Sequence, residues 1–292
     1  MGSETRAEFV LSGFGDEISA DLTAQLDTLA EENIFHLELR SIWGKNVLDL
    51  SPREVDTALK LLDARGVSVS AIASPIGKVP IQTEFAGYLP RFDRALEMAR
   101  LFGTGYVRIF SFYVPAGGAE RFRDEVVNRL SRLAERAEAA GVVLLHENEK
   151  DIYGETPERC ADMLYRVGSP SLRLAFDPAN FVQAGVRPMV DAYPLLKDYL
   201  AYVHVKDAVF SDGAIRLPGE GDGDIPRLVE VLRDRGYRGF LSLEPHQVLA
   251  GRNSGFSGPG PFRQAAQALK KILGSRENFD REGEQGATRN LH

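Results

Sequence analysis

The sequence predicts a single α/β domain, a closed (β/α)8 TIM barrel, on three observations. Eight short apolar runs are each followed by a helix-like run, these units recur every ~25 to 40 residues, and no dinucleotide-binding glycine pattern follows the first of them. An open doubly wound sheet is the competing arrangement. It usually cradles a phosphate on G-x-G-x-x-G, and GFGDEI places Ile18 where the third glycine belongs.

Taken in order, the first strand is Phe9 to Gly13, followed by a helix with Leu22, Leu26 and Leu29 at helical spacing. The second strand runs from Phe35 to Arg40. SPREVDTALKLLDARG is then a helix with Ser51 as its N-cap, Pro52 at its first position and Gly66 closing it. Val67 to Ser74 is the third strand, and a long connection leads to a helix over Tyr88 to Phe102 and a fourth strand, Tyr106 to Phe110. A long amphipathic helix ending at Gly141 precedes the fifth strand, Val142 to Glu147. Thr156 caps the next helix, with Pro157 at its first position and Glu158 in its first turn, where a negative charge suits the helix dipole. LRLAFD and AYVHV are strands six and seven, joined by an amphipathic connector. DIPRLVEVLRDRG is a helix, Gly239 to Glu244 the eighth strand, and PFRQAAQALKKIL the final helix. The expected domain limits are a flexible N-terminus over 1–8, the barrel over 9–273, and a polar, disordered or partner-held tail over 274–292.

Composition excludes several function classes. A net charge of -7 argues against a nucleic-acid backbone or an anionic membrane as the main partner. No apolar run approaches the ~20 residues that span a bilayer. The polar start, MGSETRAEF, lacks the apolar core of a signal peptide, and its match to a myristoylation signal is imperfect. The single cysteine, Cys160, allows no intramolecular disulfide and is read as packing. These features together predict a cytoplasmic protein.

The chemistry gathers at strand ends. Glu147 follows VVLLH, Asp177 follows LRLAF, His204 lies in AYVHV and Glu244 follows FLSL. An apolar strand gains no stability from ending in a carboxylate or imidazole, so each such group needs a partner. In a barrel those strand ends meet at one mouth. Three carboxylates and an imidazole there repel one another unless a cation lies between them, which predicts one divalent metal ion held by Glu147, Asp177, His204 and Glu244. Oxygen-rich ligands with one nitrogen suit Mn, Mg, Co or Zn. Any one of these acids alone is more often a helix cap or a salt-bridge partner.

LLHEN, FDPAN, VHVKD and LSLE, in that order, together with GEGDGDIP and GYRGFLSLE, resemble the xylose-isomerase-like barrel superfamily from Phe9 to Leu273. That group includes ketose epimerases, hydroxypyruvate isomerase, inosose dehydratase and the endonuclease IV branch. The resemblance implies that Glu147 and Glu244 also act as acid and base on opposite faces of a small sugar or polyol-derived carbonyl compound. They would shift a proton beside the carbonyl through a metal-bound enediolate. A dehydratase of a keto-polyol such as an inosose is the alternative on the same residues. Barrels of this branch often pair, so a homo-oligomer is compatible with the resemblance.

Two departures from the epimerase pattern stand out: Asn180 replaces a histidine, and NEKDIY replaces a segment carrying a further glutamate. Asn180 can hydrogen-bond a substrate hydroxyl. Lys206 shares strand parity with His204 and can meet an anionic or enolate oxygen, the other reading being a salt bridge to Asp207 or a neighbouring acid. His246 can reach the mouth, whereas His146 points to the opposite face and reads as packing. Phe14, Trp43 and Tyr113 are either an apolar wall for a sugar or loop packing. Glu38, Arg40 and Arg108 are either buried ion pairs or substrate contacts, and Ser74 with Lys78 resembles a small anion-holding loop. An endonuclease IV-like phosphodiesterase needs more histidines than the five present and a basic face; a non-catalytic binding barrel is the remaining class.

Overall fold

The apolar runs form eight parallel strands: β1 Glu8–Phe14, β2 His36–Leu39, β3 Ser68–Ala73, β4 Tyr106–Ile109, β5 Val143–Glu147, β6 Leu172–Phe176, β7 Leu200–Val205 and β8 Arg238–Leu243. The structure is a computed structural model and describes residues 7–246 and 257–287. Each strand pairs with its neighbour in sequence, and β1 closes the barrel on β8 from Glu8↔Arg238 to Gly13↔Leu243. Parallel neighbours need a crossover connection, which the intervening helices supply.

The helices are α1 Leu22–Glu31, α2 Pro52–Asp63, α3 Phe85–Leu101, α4 Ala119–Ala139, α5 Pro157–Val167, α6 Pro178–Gln183, α7 Tyr193–Leu196, α8 Ile225–Asp234 and α9 Pro259–Ala287. Ser51 and Glu54 form a full capping box at α2, and Thr156 caps α5 through the amide of Arg159. Helix α3 starts three residues earlier than its apolar spacing suggests. Glu84, an unusual N-cap, accepts from the amides of Ala86 and Gly87, and Pro90 lies within the helix. Between β6 and β7 the expected single connector is broken into α6, a π-helical turn over Pro188–Ala192, and α7. Two ribbons escape the sequence reading, Ser41–Ile42 with Lys45–Asn46 and Asp207–Ala208 with Ile215–Arg216, because two-residue strands show no alternation. The N-terminal segment expected to be flexible lies mostly outside the described residues. At the other end, the backbone of α9 continues through Ala287, and its first half packs on the barrel through buried Phe262, Ala265, Ala266 and Leu269.

Side-chain alternation divides the core in two. Outward-facing residues such as Leu144, Leu174, Val203 and Leu241 pack under the helices. The barrel interior is filled by Ala71, Leu145, Ala175 and Tyr202, with Tyr106 and Phe240 beneath. Ser12, Ser70 and the Tyr202 hydroxyl form a buried hydrogen-bonded string, at 2.6 Å and 2.9 Å, that satisfies the phenol inside the barrel. This layer is the floor on which the polar strand ends stand.

Helices α4 and α5 are stapled by Asp162, which accepts from Arg123, from Arg166 Nε at 3.0 Å and from the Tyr153 hydroxyl at 3.1 Å. The Arg123 hydrogen bond is the main reason that its carboxyl is pulled down to about 2 from an ordinary 3.8. The folded state thus keeps Asp162 ionised where the unfolded chain takes up a proton. This contribution is present above pH 3.8 and is lost as the pH falls toward about 2. Asp162→Asn is expected to lower the melting temperature slightly at pH 7, an exposed network being weak, and the gap from the parent should close in melts taken at decreasing pH through that window.

Candidate metal centre

Alternation also builds the mouth. Inward-facing positions continue past the floor as Glu147 ending β5, Asp177 after β6, His204 and Lys206 on and after β7, and Glu244 after β8, all buried. One oxygen or nitrogen from each of Glu147, Asp177, His204 and Glu244 lies within 4.8 Å of the others. Four groups separated widely along the chain therefore form one donor set.

Each group has an outer and an inner contact. Arg108 Nη1 donates to Glu147 Oε2 at 2.6 Å, and Arg40 Nη1 donates to Glu244 Oε1 at 2.7 Å. Asp177 Oδ1 caps α6 by accepting from the amide of Asn180 at 2.9 Å, so the N-cap and donor-set roles fall on different oxygens of one carboxylate. His204 Nε2 lies 3.2 Å from Glu38 Oε1, and Nδ1 lies 3.2 Å from Glu147 Oε1. The inner atoms Asp177 Oδ2 and His204 Nδ1 are buried without an aligned hydrogen bond, which is what an ion-binding atom requires in the absence of its ion. Hard oxygens with one imidazole nitrogen are a donor set that fits a divalent cation.

The electrostatics follow from these pairs. Burial alone would raise Glu147, but His204 and Arg108 outweigh it and hold the carboxyl well below its usual range. Burial likewise opposes ionisation of Glu244, and Lys206, His246 and Arg40 overcome it. Asp177, where burial prevails, is pushed up to about 6. Burial disfavours a charged His204, yet Glu38 and Glu147 outweigh it and lift the ring well above its ordinary value.

A family model for the xylose isomerase-like TIM barrel matches residues 28–272. The chain belongs to that family. Among curated members it is 28% identical to the inosose dehydratase of Clostridium perfringens (strain 13 / Type A) over 91% of this chain and 87% of that protein. It is 27% identical to the 2-epi-5-epi-valiolone 7-phosphate 2-epimerase of an Actinoplanes species over 65% of this chain and 69% of that one. A xylose isomerase-like TIM barrel protein from Mycobacterium smegmatis, solved in complex with magnesium, superposes with a TM-score of 0.65 at 17% identity, over 94% of this chain and 100% of that chain. Relatives of this chain thus include both epimerases and dehydratases, and at this identity the structural likeness shows the fold alone.

In this xylose isomerase-like barrel Glu147 and Glu244 of the donor set line a cavity of ≈ 170 Å³ together with Arg40, Lys78, Arg108, Phe110, Lys206 and His246. Lys206 and His246 reach it as expected; Asn180 does not line it. The Asn180 side-chain nitrogen instead donates to Glu147 Oε1 at 3.1 Å and to the Asn148 carbonyl at 2.9 Å. It orients a glutamate, because α6 begins immediately after Asp177 and turns the amide inward. The Ser74 hydroxyl donates to the Arg108 carbonyl at 2.5 Å, and Lys78, at the cavity edge, pairs with Glu149 at 3.1 Å over the Phe110 ring. Phe14 is a buried edge against His204, Trp43 packs on the core, and Tyr113 bridges loops through its backbone. His146 faces away from the mouth, buried, as alternation requires. Asp16 and Glu17, in the turn after β1, were not singled out by the sequence; they clamp Arg40 at 2.7 Å each, and Glu17 Oε1 also lies 3.1 Å from His246 Nδ1.

Asp207 does not pair with Lys206. It turns back to accept from the amides of Gly219, Gly221 and Gly223 at 2.8, 3.1 and 2.8 Å, folding GEGDGD into a cradle beside α6. A Cβ on Gly221 would lie 2.4 Å from Asp207 Oδ1 and 2.6 Å from the Ala208 carbonyl. Gly221→Ala is therefore expected to destabilise the protein by roughly 1–3 kcal/mol, read by urea denaturation.

Proposed function

We propose that this protein is a divalent-metal-dependent isomerase or epimerase that moves a proton next to the carbonyl of a small sugar or polyol-derived substrate. The observation that carries this reading is the convergence of two buried glutamates, from β5 and from the end of β8, on one donor set beside a sugar-sized cavity. Glu147, Asp177, His204 and Glu244 would hold the ion, which supplies positive charge for the enolate oxygen when bound. Glu147 and Glu244 come from strands separated by two others and approach the reacting carbon from different sides. One removes the proton and the other returns it. Arg108 and Asn180 fix Glu147, Arg40 fixes Glu244, and His246 and Lys206 line the cavity where substrate hydroxyls would lie.

A dehydratase acting on a keto-polyol is the second reading. It is favoured by the inosose dehydratase likeness, which runs over nearly the whole chain. The two reactions share the first proton removal and differ in whether a β-hydroxyl leaves. Incubating metal-loaded protein with a panel of ketoses and inososes in deuterated water separates them. Deuterium beside the carbonyl at constant composition marks epimerisation, and loss of one water marks the lyase. No exchange and no water loss with any member of the panel would sink both.

A further inference from the structure

Arg40, Arg108 and Lys206 at the mouth are not equivalent. Arg108 and Arg40 grip Glu147 Oε2 and Glu244 Oε1, the oxygens on the outer side of the donor set. Lys206 instead enters it: its ammonium is 2.9 Å from Asp177 Oδ2 and 3.0 Å from Glu244 Oε2. It is 6% exposed, so water contributes little to its solvation. It donates a hydrogen bond to Glu244 Oε2, whereas Asp177 Oδ2 makes no aligned hydrogen bond with it and is held by charge alone, the kind of contact that a metal ion makes.

We propose that Lys206 is a resident counter-ion of the metal seat. It neutralises Asp177 and Glu244 when no divalent ion is bound, and gives them up when one binds. This rests on the four-residue metal reading given above and adds a competitor to it. Position makes the role available to Lys206. One residue past β7, it shares the inward parity of Tyr202 and His204, and its neighbour Asp207 is fully engaged by the glycine cradle. No other lysine or arginine among the described residues contacts Asp177, and Arg40 meets only the other oxygen of Glu244. An ion using both carboxylates must displace the ammonium, which already lines the adjoining cavity. The protein thus folds without an unpaired acidic cluster and pays for that by binding its metal less tightly.

The test is direct metal affinity, measured on the full chain after chelator dialysis by competition between the protein and a chromophoric chelator for Mn(II). Lys206→Met is expected to bind Mn(II) at least about tenfold more tightly than the parent, a change of the size produced by altering groups around metal ligands. Its ion-free form should melt lower, and its melting temperature should rise more on adding metal. Lys206→Gln, which keeps a donor but no charge, gives the same reading if the methionine variant does not fold. Lys206→Arg, charged but larger, should not tighten binding. Equal or weaker affinity in folded Lys206→Met and Lys206→Gln overturns the counter-ion role while leaving the metal site standing. If neither the parent nor the variants bind Mn(II), Mg(II), Co(II) or Zn(II), the four-residue metal reading falls and the counter-ion role falls with it.

Discussion

Glu147→Gln and Glu244→Gln are each expected to lower kcat by about a thousandfold or more, near the upper part of the range for removing one acid–base group. Glutamine keeps the size of the side chain and a carbonyl oxygen that can still accept from Arg108 or Arg40, so the mouth keeps its shape. What it loses is the ability to take a proton. Each glutamate has an arginine on its outer oxygen and a further cationic group, His204 or Lys206, on the inner one, which suits the one that takes the proton; the one that returns a proton must enter the reaction carrying it. Metal analysis of the gel-filtered variants should still find the ion when it is supplied in excess, because three ligands remain. Deuterium exchange refines the result. If one glutamate abstracts and the other returns the proton, one variant should lose exchange altogether, while the other retains exchange and loses net epimerisation. Full turnover in both variants would remove the two glutamates from the mechanism.

The donor set was legible in the sequence because polar residues ending apolar strands have few stabilising reasons to be there, and a barrel brings strand ends together without further information. The fold was legible for a related reason: short apolar runs alternate with capped helical segments, and Ser51 with Pro52 or Thr156 with Pro157 mark the helix starts, each cap accepting from a backbone amide of the first turn. The partners of the site were not legible in the same way. Whether Arg40 meets Asp16, Glu17 and Glu244 depends on the turn after β1 and on closure of β1 against β8, a contact between opposite ends of the chain. Lys206 next to Asp207 invites a local ion pair, but successive residues at a strand end face opposite ways, and the glycine amides satisfy Asp207 first. Asn180 illustrates the same limit. Its type suits a substrate hydroxyl, and only the start of α6 at Pro178 shows that its amide is directed at Glu147. Repulsion among the acids does not by itself require a metal, since Arg40, Arg108, Lys206 and His204 already place positive charge among them.

His204→Leu should destabilise the ion-free protein by about 3–5 kcal/mol, more than the loss of packing explains. Leucine fills a similar space between Phe14 and Tyr202, whose rings flank the imidazole at 5.2 Å and 5.7 Å. It leaves Glu38, wholly buried and with Oε2 already lacking a hydrogen bond, without its one ion-pair partner among the described residues. A second substitution distinguishes this cause from a packing defect. In the double variant His204→Leu, Glu38→Met the buried charge is gone as well, and replacing a buried ion pair by apolar groups of similar volume is often close to neutral. Urea denaturation in the presence of chelator should therefore show that most of the lost stability returns. Metal binding should not return, because the donor nitrogen is absent from both variants, and Glu38 in the parent acts by orienting that nitrogen toward Glu147. A double variant as unstable as the single one would mean that the imidazole serves as filler and not as the partner of Glu38. The strand-end histidine would then have no electrostatic role in the ion-free fold.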